Sequence, residues 1–153
     1  MAVITIDGTR LEVPENKNVL ECALEAGIYI PHLCHHPDLP ENGSCRMCIV
    51  EVEGQEGVNT SCTLRAQDGM VVHTTSERIN KLRTLALELL LAGHPEDCST
   101  CPKYGNCELQ TLIQYIGANN ARMRTRIKGI KMEEGNPLLI HDMNRCVLCG
   151  RCV

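Results

Sequence analysis

An α+β fold is predicted by three features of the sequence. Short β-branched runs flank an Asp-Gly pair at the start of the chain. Segments with helical spacing of apolar residues follow, alternating with further strand-like runs. Ten of the eleven cysteines fall into three groups along 153 residues. With no Trp, no Phe and three Tyr, the core must be aliphatic even though 43% of the chain is hydrophobic. Thin cores of this kind are often reinforced by disulfides or by metal. An odd number of cysteines rules out a complete disulfide framework.

Residues Ala2–Ile6 and Thr9–Val13 read as strands joined at Asp7-Gly8, a strong signal for a two-residue hairpin. A helix is predicted from Val19 to Gly27, with Val19, Cys22 and Ala23 on its apolar face and Gly27 as its stop. Cys22 stands alone there and reads as core packing. Three prolines and little periodicity make Tyr29 to Ser44 a loop. Met47–Val52 and Met70–Thr74 read as further strands. Together these elements suggest a β-grasp unit over residues 1–75.

A second helix is predicted from near Thr75, with Thr74 and Glu77 as a capping-box pair. Ile79, Leu82, Leu85, Ala86, Leu89 and Leu90 would form its apolar face, and Gly93 would end it before His94-Pro95. A third helix is expected over Glu108–Ile116, so residues 76–117 form a small helical unit. Residues 118–136 read as a basic linker or surface segment, and 137–153 as the start of another motif.

Net charge is -4 with both signs interspersed. The basic stretch Arg122 to Lys131 reads as a solvated face or a protein-docking surface, and no nucleic-acid partner is expected. The N-terminal stretch has no basic segment and too short an apolar run for a signal peptide. The longest apolar run, around Leu85–Ala92, is interrupted by Glu88, so no transmembrane segment is expected. These features point to a reducing cytoplasm, where grouped cysteines mean metal or catalysis. No Ser/His/Asp arrangement, Gly-x-Gly-x-x-Gly turn or P-loop is present, and the chain is expected to have no catalytic residues of its own.

The first cysteine group is Cys34-x10-Cys45-x2-Cys48-x13-Cys62. Zinc sites favour two short Cys-x2-Cys pairs, and only one is present here. Four thiolates on loops, with the small residues Gly43 and Ser44 leading into the central pair, suit a [2Fe–2S] cluster, whose sulfides accept backbone N–H groups at close approach. The second group is His94-x3-Cys98-x2-Cys101-x5-Cys107. Three thiolates leave one iron of a cubane open, and a neutral imidazole can fill it. The third group, Cys146-x2-Cys149-x2-Cys152, opens like a bacterial ferredoxin run but reaches Val153 without its fourth cysteine. That pattern is expected of a portion of a longer protein, in which a third [4Fe–4S] site would find its missing ligand.

The segment IPHLCHHPDLPENGSCRMCIVEVEG resembles the N-terminal region shared by three families. These are the large (G-type) iron–sulfur subunit of complex I, the NAD(P)-linked formate dehydrogenases and the iron-only hydrogenases. HPEDCSTCPKYGNCELQ resembles the next part of the same region. The resemblance implies a ferredoxin-like [2Fe–2S] domain with Cys34, Cys45, Cys48 and Cys62 as ligands. It further implies a [4Fe–4S] domain with His94, Cys98, Cys101 and Cys107 as ligands, then a ferredoxin-type motif. His35 and His36 are expected to make local loop hydrogen bonds.

The functional expectation is an electron-transfer module of a multi-subunit NAD(P)-linked oxidoreductase. Its partners would be a flavin- and NAD(P)H-binding subunit and other iron–sulfur subunits. A free-standing ferredoxin carrier is an alternative, weakened by the mild charge. A zinc-organised interaction module is a further one, and it would be colourless.

Overall fold

The computed structural model describes residues 1–95, 97–118, 129–131, 138 and 142–152. Most of the predicted 118–136 segment, and of the basic stretch from Arg122, lies outside the described residues.

The hairpin forms where Asp-Gly requires it. Strands β1 (Ala2–Ile6) and β2 (Thr9–Val13) pair antiparallel, with Ile6 opposite Thr9. Asp7 and Gly8 both take positive φ, 47° and 82°, the backbone that a tight two-residue hairpin turn demands. Ala2, Ile4 and Ile6 alternate inward and are fully buried. Helix α1 (Val19–Glu25) is capped by Asn18, whose side chain accepts a hydrogen bond from Glu21 N at 2.8 Å. Gly27 takes φ 76° just past the helix end.

Three further strands complete the sheet. These are β3 (Ile49–Val52), β4 (Asn59–Thr60) and β5 (Val71–His73), and the order is β2-β1-β5-β3-β4. Among the described residues, only β1 and β5 run parallel. The β3 strand begins two residues later than the sequence suggests, because Met47 and Cys48 form a turn rather than extend the ladder. The two-residue β4 is too short to leave a periodic signal. One aliphatic core gathers Ile4, Ile6, Leu20, Val50 and Val72 between the sheet and α1, and Cys22 lies within it as expected.

Helix α2 (Glu77–Leu91) starts from a different cap than Thr74. Ser76 Oγ accepts from Ile79 N at 3.1 Å, whereas Thr74 donates its N–H (2.8 Å) and its hydroxyl to the Asp7 carboxylate at the hairpin. Its buried stripe is also rotated from the expected one. Ile79, Arg83, Leu87 and Glu88 are buried, while Leu85 and Leu89 are 41% and 57% exposed. The helix is apolar over so much of its surface that composition alone leaves the face open. Gly93 is not left-handed, and the chain leaves α2 through a hydrogen bond from His94 N to Leu91 O at 3.0 Å. After the short 3-10 turn Cys98–Thr100 comes helix α3 (Glu108–Ile116), ended by Gly117 at φ 73°.

A second core gathers Leu87, Leu109 and Leu112 of the helices with Leu33, Cys34, Cys45 and Met47 of the first unit. The helical unit therefore rests on the cysteine loops and on β3, where Arg83 donates to Ile49 O. Leu87 is fully buried at its centre. Leu87→Ala is expected to cost about 2–5 kcal/mol in urea unfolding of the cluster-loaded protein. A loss below about 1 kcal/mol would show that the site collapses around the cavity.

Candidate functional site

The four cysteines of the first group converge from three loops. Cys34 lies in the proline-rich loop, Cys45 and Cys48 in the turns before β3, and Cys62 just after β4. All four are buried, at 5%, 5%, 1% and 1% exposure. Local backbone geometry explains how they meet. Gly43 and Arg46 take positive φ, 63° and 59°, folding the chain tightly around Cys45. A Cβ at Gly43 would stand 3.3 Å from Thr63 Cγ2 and 4.0 Å from Cys62 Sγ, so the glycine makes room at the sulfurs. Ser61 N and Ser61 Oγ both donate to Cys48 O, at 2.9 and 2.8 Å, and lock the Cys62 turn onto the Cys48 turn.

The thiols are close enough to share protons. Hydrogen bonds from Cys45, then from Cys62, hold the Cys34 thiol far below the ordinary range. The hydrogen bond from Cys62 is also the main cause that brings Cys48 down to about 7. The donors Cys45 and Cys62 are pushed up, each chiefly by its hydrogen bond to Cys34. Backbone N–H groups add to this: that of Cys45 points to Cys34, that of Met47 to Cys45 and that of Cys62 to Cys48. Metal ions take the place of such shared protons and need thiolates as ligands. A buried, all-sulfur donor set with N–H groups directed at it fits a [2Fe–2S] cluster.

The second group lines one cavity of about 530 Å³, which His94, Cys98, Cys101 and Cys107 share with Leu91, Leu109 and Arg145. Each donor has a local reason for its place. His94 and Pro95 follow the end of α2, and the 3-10 turn brings Cys101 N to Cys98 O at 3.0 Å. Cys107 is the N-cap residue of α3, and its carbonyl accepts from Thr111 N at 3.2 Å. The three cysteines are half-buried. One imidazole and three thiols around a partly open, partly apolar space fit a cubane cluster with a single nitrogen ligand. Among the described residues, no group of three or more His, Cys, Asp or Glu side chains forms a site for a single metal ion.

The third group packs against the first two. Arg151, between Cys149 and Cys152, holds both carboxylate oxygens of Glu108 (2.9 and 2.7 Å) and the carbonyl of His35 at 2.9 Å. Asn42 Nδ2 donates to Cys149 O at 3.4 Å, and a Cβ on Gly150 would meet that nitrogen at 2.6 Å. Arg145, just before Cys146, binds Asp97 Oδ2 at 2.9 Å and reaches the Cys101 thiol. Cys146 and Cys149 are half-buried and Cys152 is exposed. His36 Nδ1 accepts from Asp38 N at 3.3 Å, and His35 Nε2 lies 3.6 Å from Glu21 Oε1.

Sequence reasoning missed the arginines. Arg145 and Arg151 carry no spacing signal, since their partners Asp97 and Glu108 are more than forty residues away. Arg83 did leave one: it sits midway between Ile79 and Leu87 at four-residue steps, which places a charge on the buried stripe.

Comparison with known proteins bears on the same regions. The 2Fe-2S iron-sulfur cluster binding domain matches residues 1–77, and the NADH-ubiquinone oxidoreductase-G iron-sulfur binding region matches residues 83–122. The mitochondrial NADH-ubiquinone oxidoreductase 78 kDa subunit of Candida albicans is 39% identical over 98% of the chain. A G-type subunit of the NADH-quinone oxidoreductase of Rhizobium meliloti is 42% identical over the whole chain. The chain spans only 21% and 18% of the length of these two relatives. A crystal structure of an NAD+-reducing [NiFe]-hydrogenase in the H2-reduced state superposes with a TM-score of 0.92 at 39% identity, over 99% of this chain and 64% of that one. The chain belongs to the 2Fe-2S iron-sulfur cluster binding domain family, carries an oxidoreductase-G type iron-sulfur region after that domain, and holds a [2Fe–2S] and a [4Fe–4S] cluster.

Proposed function

We propose that the chain is the electron-transfer module of a multi-subunit NAD(P)-linked oxidoreductase, passing single electrons between a flavin- and NAD(P)H-binding subunit and an acceptor. The observation that carries this reading is the packing of the three donor groups against one another, through Arg151 to His35 and Arg145 to Asp97. The relatives named above, subunits of NADH–quinone oxidoreductases and an NAD+-reducing hydrogenase, support it.

In this reading Cys34, Cys45, Cys48 and Cys62 hold the [2Fe–2S] cluster in a β-grasp domain over residues 1–75. His94, Cys98, Cys101 and Cys107 hold the [4Fe–4S] cluster in a helical domain over 76–117. The clusters, when bound, take up and release single electrons. The protein's part is to set how readily that happens. Thiolates supply negative charge that resists reduction, directed N–H groups oppose it, and His94 in place of a fourth thiolate raises the potential of the second site. Residues 118–136 link that domain to the motif of 137–153. Cys146, Cys149 and Cys152 would serve a further [4Fe–4S] site once a fourth ligand joins them. A reducing cytoplasm, where grouped cysteines serve metal rather than crosslinks, suits this chemistry. Among the described residues no helix is long and apolar enough to cross a membrane.

Rapid-freeze EPR after substoichiometric reduction tests the module directly. Electrons are expected to redistribute between the two clusters at a rate independent of protein concentration. A rate that scales with concentration would mean the clusters exchange electrons only by collision between molecules, which contradicts a built conduit.

A further inference from the structure

Arg83 is 3% exposed and lies on the buried stripe of α2. Its guanidinium donates from Nε to Met47 O at 2.9 Å and from Nη2 to Ile49 O at 2.7 Å. Those carbonyls belong to the residues on either side of Cys48, itself 1% exposed. Two of the five N–H donors are thus satisfied, but carbonyl dipoles leave the net charge uncompensated. Among the described residues, no carboxylate forms an ion pair with it. A guanidinium remains charged when buried, and such a charge needs a counter-charge. The anionic groups that act on it are the thiolate set that Cys48 belongs to and the Asp7 carboxylate, which the N–H and hydroxyl of Thr74 already engage.

We propose that Arg83 is a positioning residue of the first centre that clamps the Cys45–Cys48 turn from α2 and raises the reduction potential of the [2Fe–2S] cluster. The inference rests on the reading that Cys34, Cys45, Cys48 and Cys62 hold that cluster. A [2Fe–2S] core with four thiolates is doubly negative and gains a third negative charge on reduction. A fixed, desolvated cation against the ligand turn favours the more negative state, and burial keeps salt from screening it. The same helix runs on to Leu91, three residues before His94, so one rigid rod of about 12 Å leads from Arg83 toward the second centre. Arg83 and His94 act in the same direction, one by adding a positive charge and the other by replacing a negative ligand.

The test compares Arg83→Lys, Arg83→Gln and Arg83→Met in the full chain by EPR-monitored redox titration, with iron and sulfide counted and the [4Fe–4S] signal as internal reference. Arg83→Met and Arg83→Gln are expected to disfavour reduction of the [2Fe–2S] cluster about tenfold, ~59 mV for one electron. Arg83→Lys keeps the charge and is expected to stay near the parent potential, and the second cluster is expected not to move in any variant. Absence of a [2Fe–2S] signal in the parent chain would defeat the ligand reading itself. A parent-like potential in loaded Arg83→Met or Arg83→Gln would overturn the role of Arg83 alone. So would an equal fall in Arg83→Lys, and so would failure of both uncharged variants to hold any [2Fe–2S] cluster, which would make Arg83 a residue the fold needs rather than one that tunes the centre.

Discussion

Cys48→Ala is expected to abolish the [2Fe–2S] EPR signal and remove about two irons and two sulfides per chain, while leaving the [4Fe–4S] signal in place. Cys48 is only 1% exposed, as is Cys62, and its sulfur is shared with Cys62 while its carbonyl anchors Ser61. Alanine deletes the donor but leaves that carbonyl anchor, so the turn keeps its shape and the loss reports on ligation. Cys48 also belongs to the first core, apart from the one that holds Leu87, Leu109 and Leu112. The second site therefore keeps its packing. Loss of both signals would mean that the two cores fold as one unit. Cys45→Ser is the sharper probe of that coupling, because Cys45 lies in the second core with Leu87 and Leu109.

His94→Cys is expected to retain a cubane but to lower its potential. An added thiolate places another negative charge on the cluster, so the incoming electron meets a more negative group. A tenfold change in the equilibrium for reduction corresponds to ~59 mV, and the shift is expected to be at least that large. His94→Ala is expected to lower cubane content instead, since the donor is removed without replacement. The cavity geometry makes both outcomes specific to His94, which shares that space with Cys98, Cys101 and Cys107. EPR-monitored titration checks the first variant, and iron and sulfide per chain the second. An unchanged potential in His94→Cys would remove His94 from the ligand set.

The two changes act on opposite sides of one electrostatic balance. Arg83→Met withdraws a positive charge from outside the ligand set of the first centre, and His94→Cys adds a negative one inside that of the second. Their combination is expected to be additive, because the two side chains act on different centres. Coupling beyond about 0.5 kcal/mol would mean that the first core senses the second.

Much of this was legible in the sequence because the signals were local. The Asp7-Gly8 turn, the strands beside it and the bounds of α3 follow from neighbouring residues, and the structure places them as read. The donor groups were legible for the same reason: Cys45 and Cys48, or Cys98 and Cys101, announce themselves by spacing. What stayed hidden depends on distant partners. Thr74 was available as a helix cap, but Asp7, sixty-seven residues away, takes both its hydrogen bonds, and Ser76 caps α2. Likewise the leucines of α2 did not reveal which side would face inward, because the choice is made by the Met47 and Ile49 carbonyls that accept from Arg83. The contact of Arg151 with His35 crosses 116 positions and brings the last motif beside the first. No periodicity encodes such a pairing.

The most direct test of the central claim is iron and acid-labile sulfide per chain on anaerobically purified protein, with low-temperature EPR after reduction. The account predicts about six irons and six sulfides, with one [2Fe–2S] and one [4Fe–4S] signal, rising toward about ten irons where a fourth ligand completes the Cys146–Cys152 site. A colourless protein holding zinc and no sulfide would contradict it.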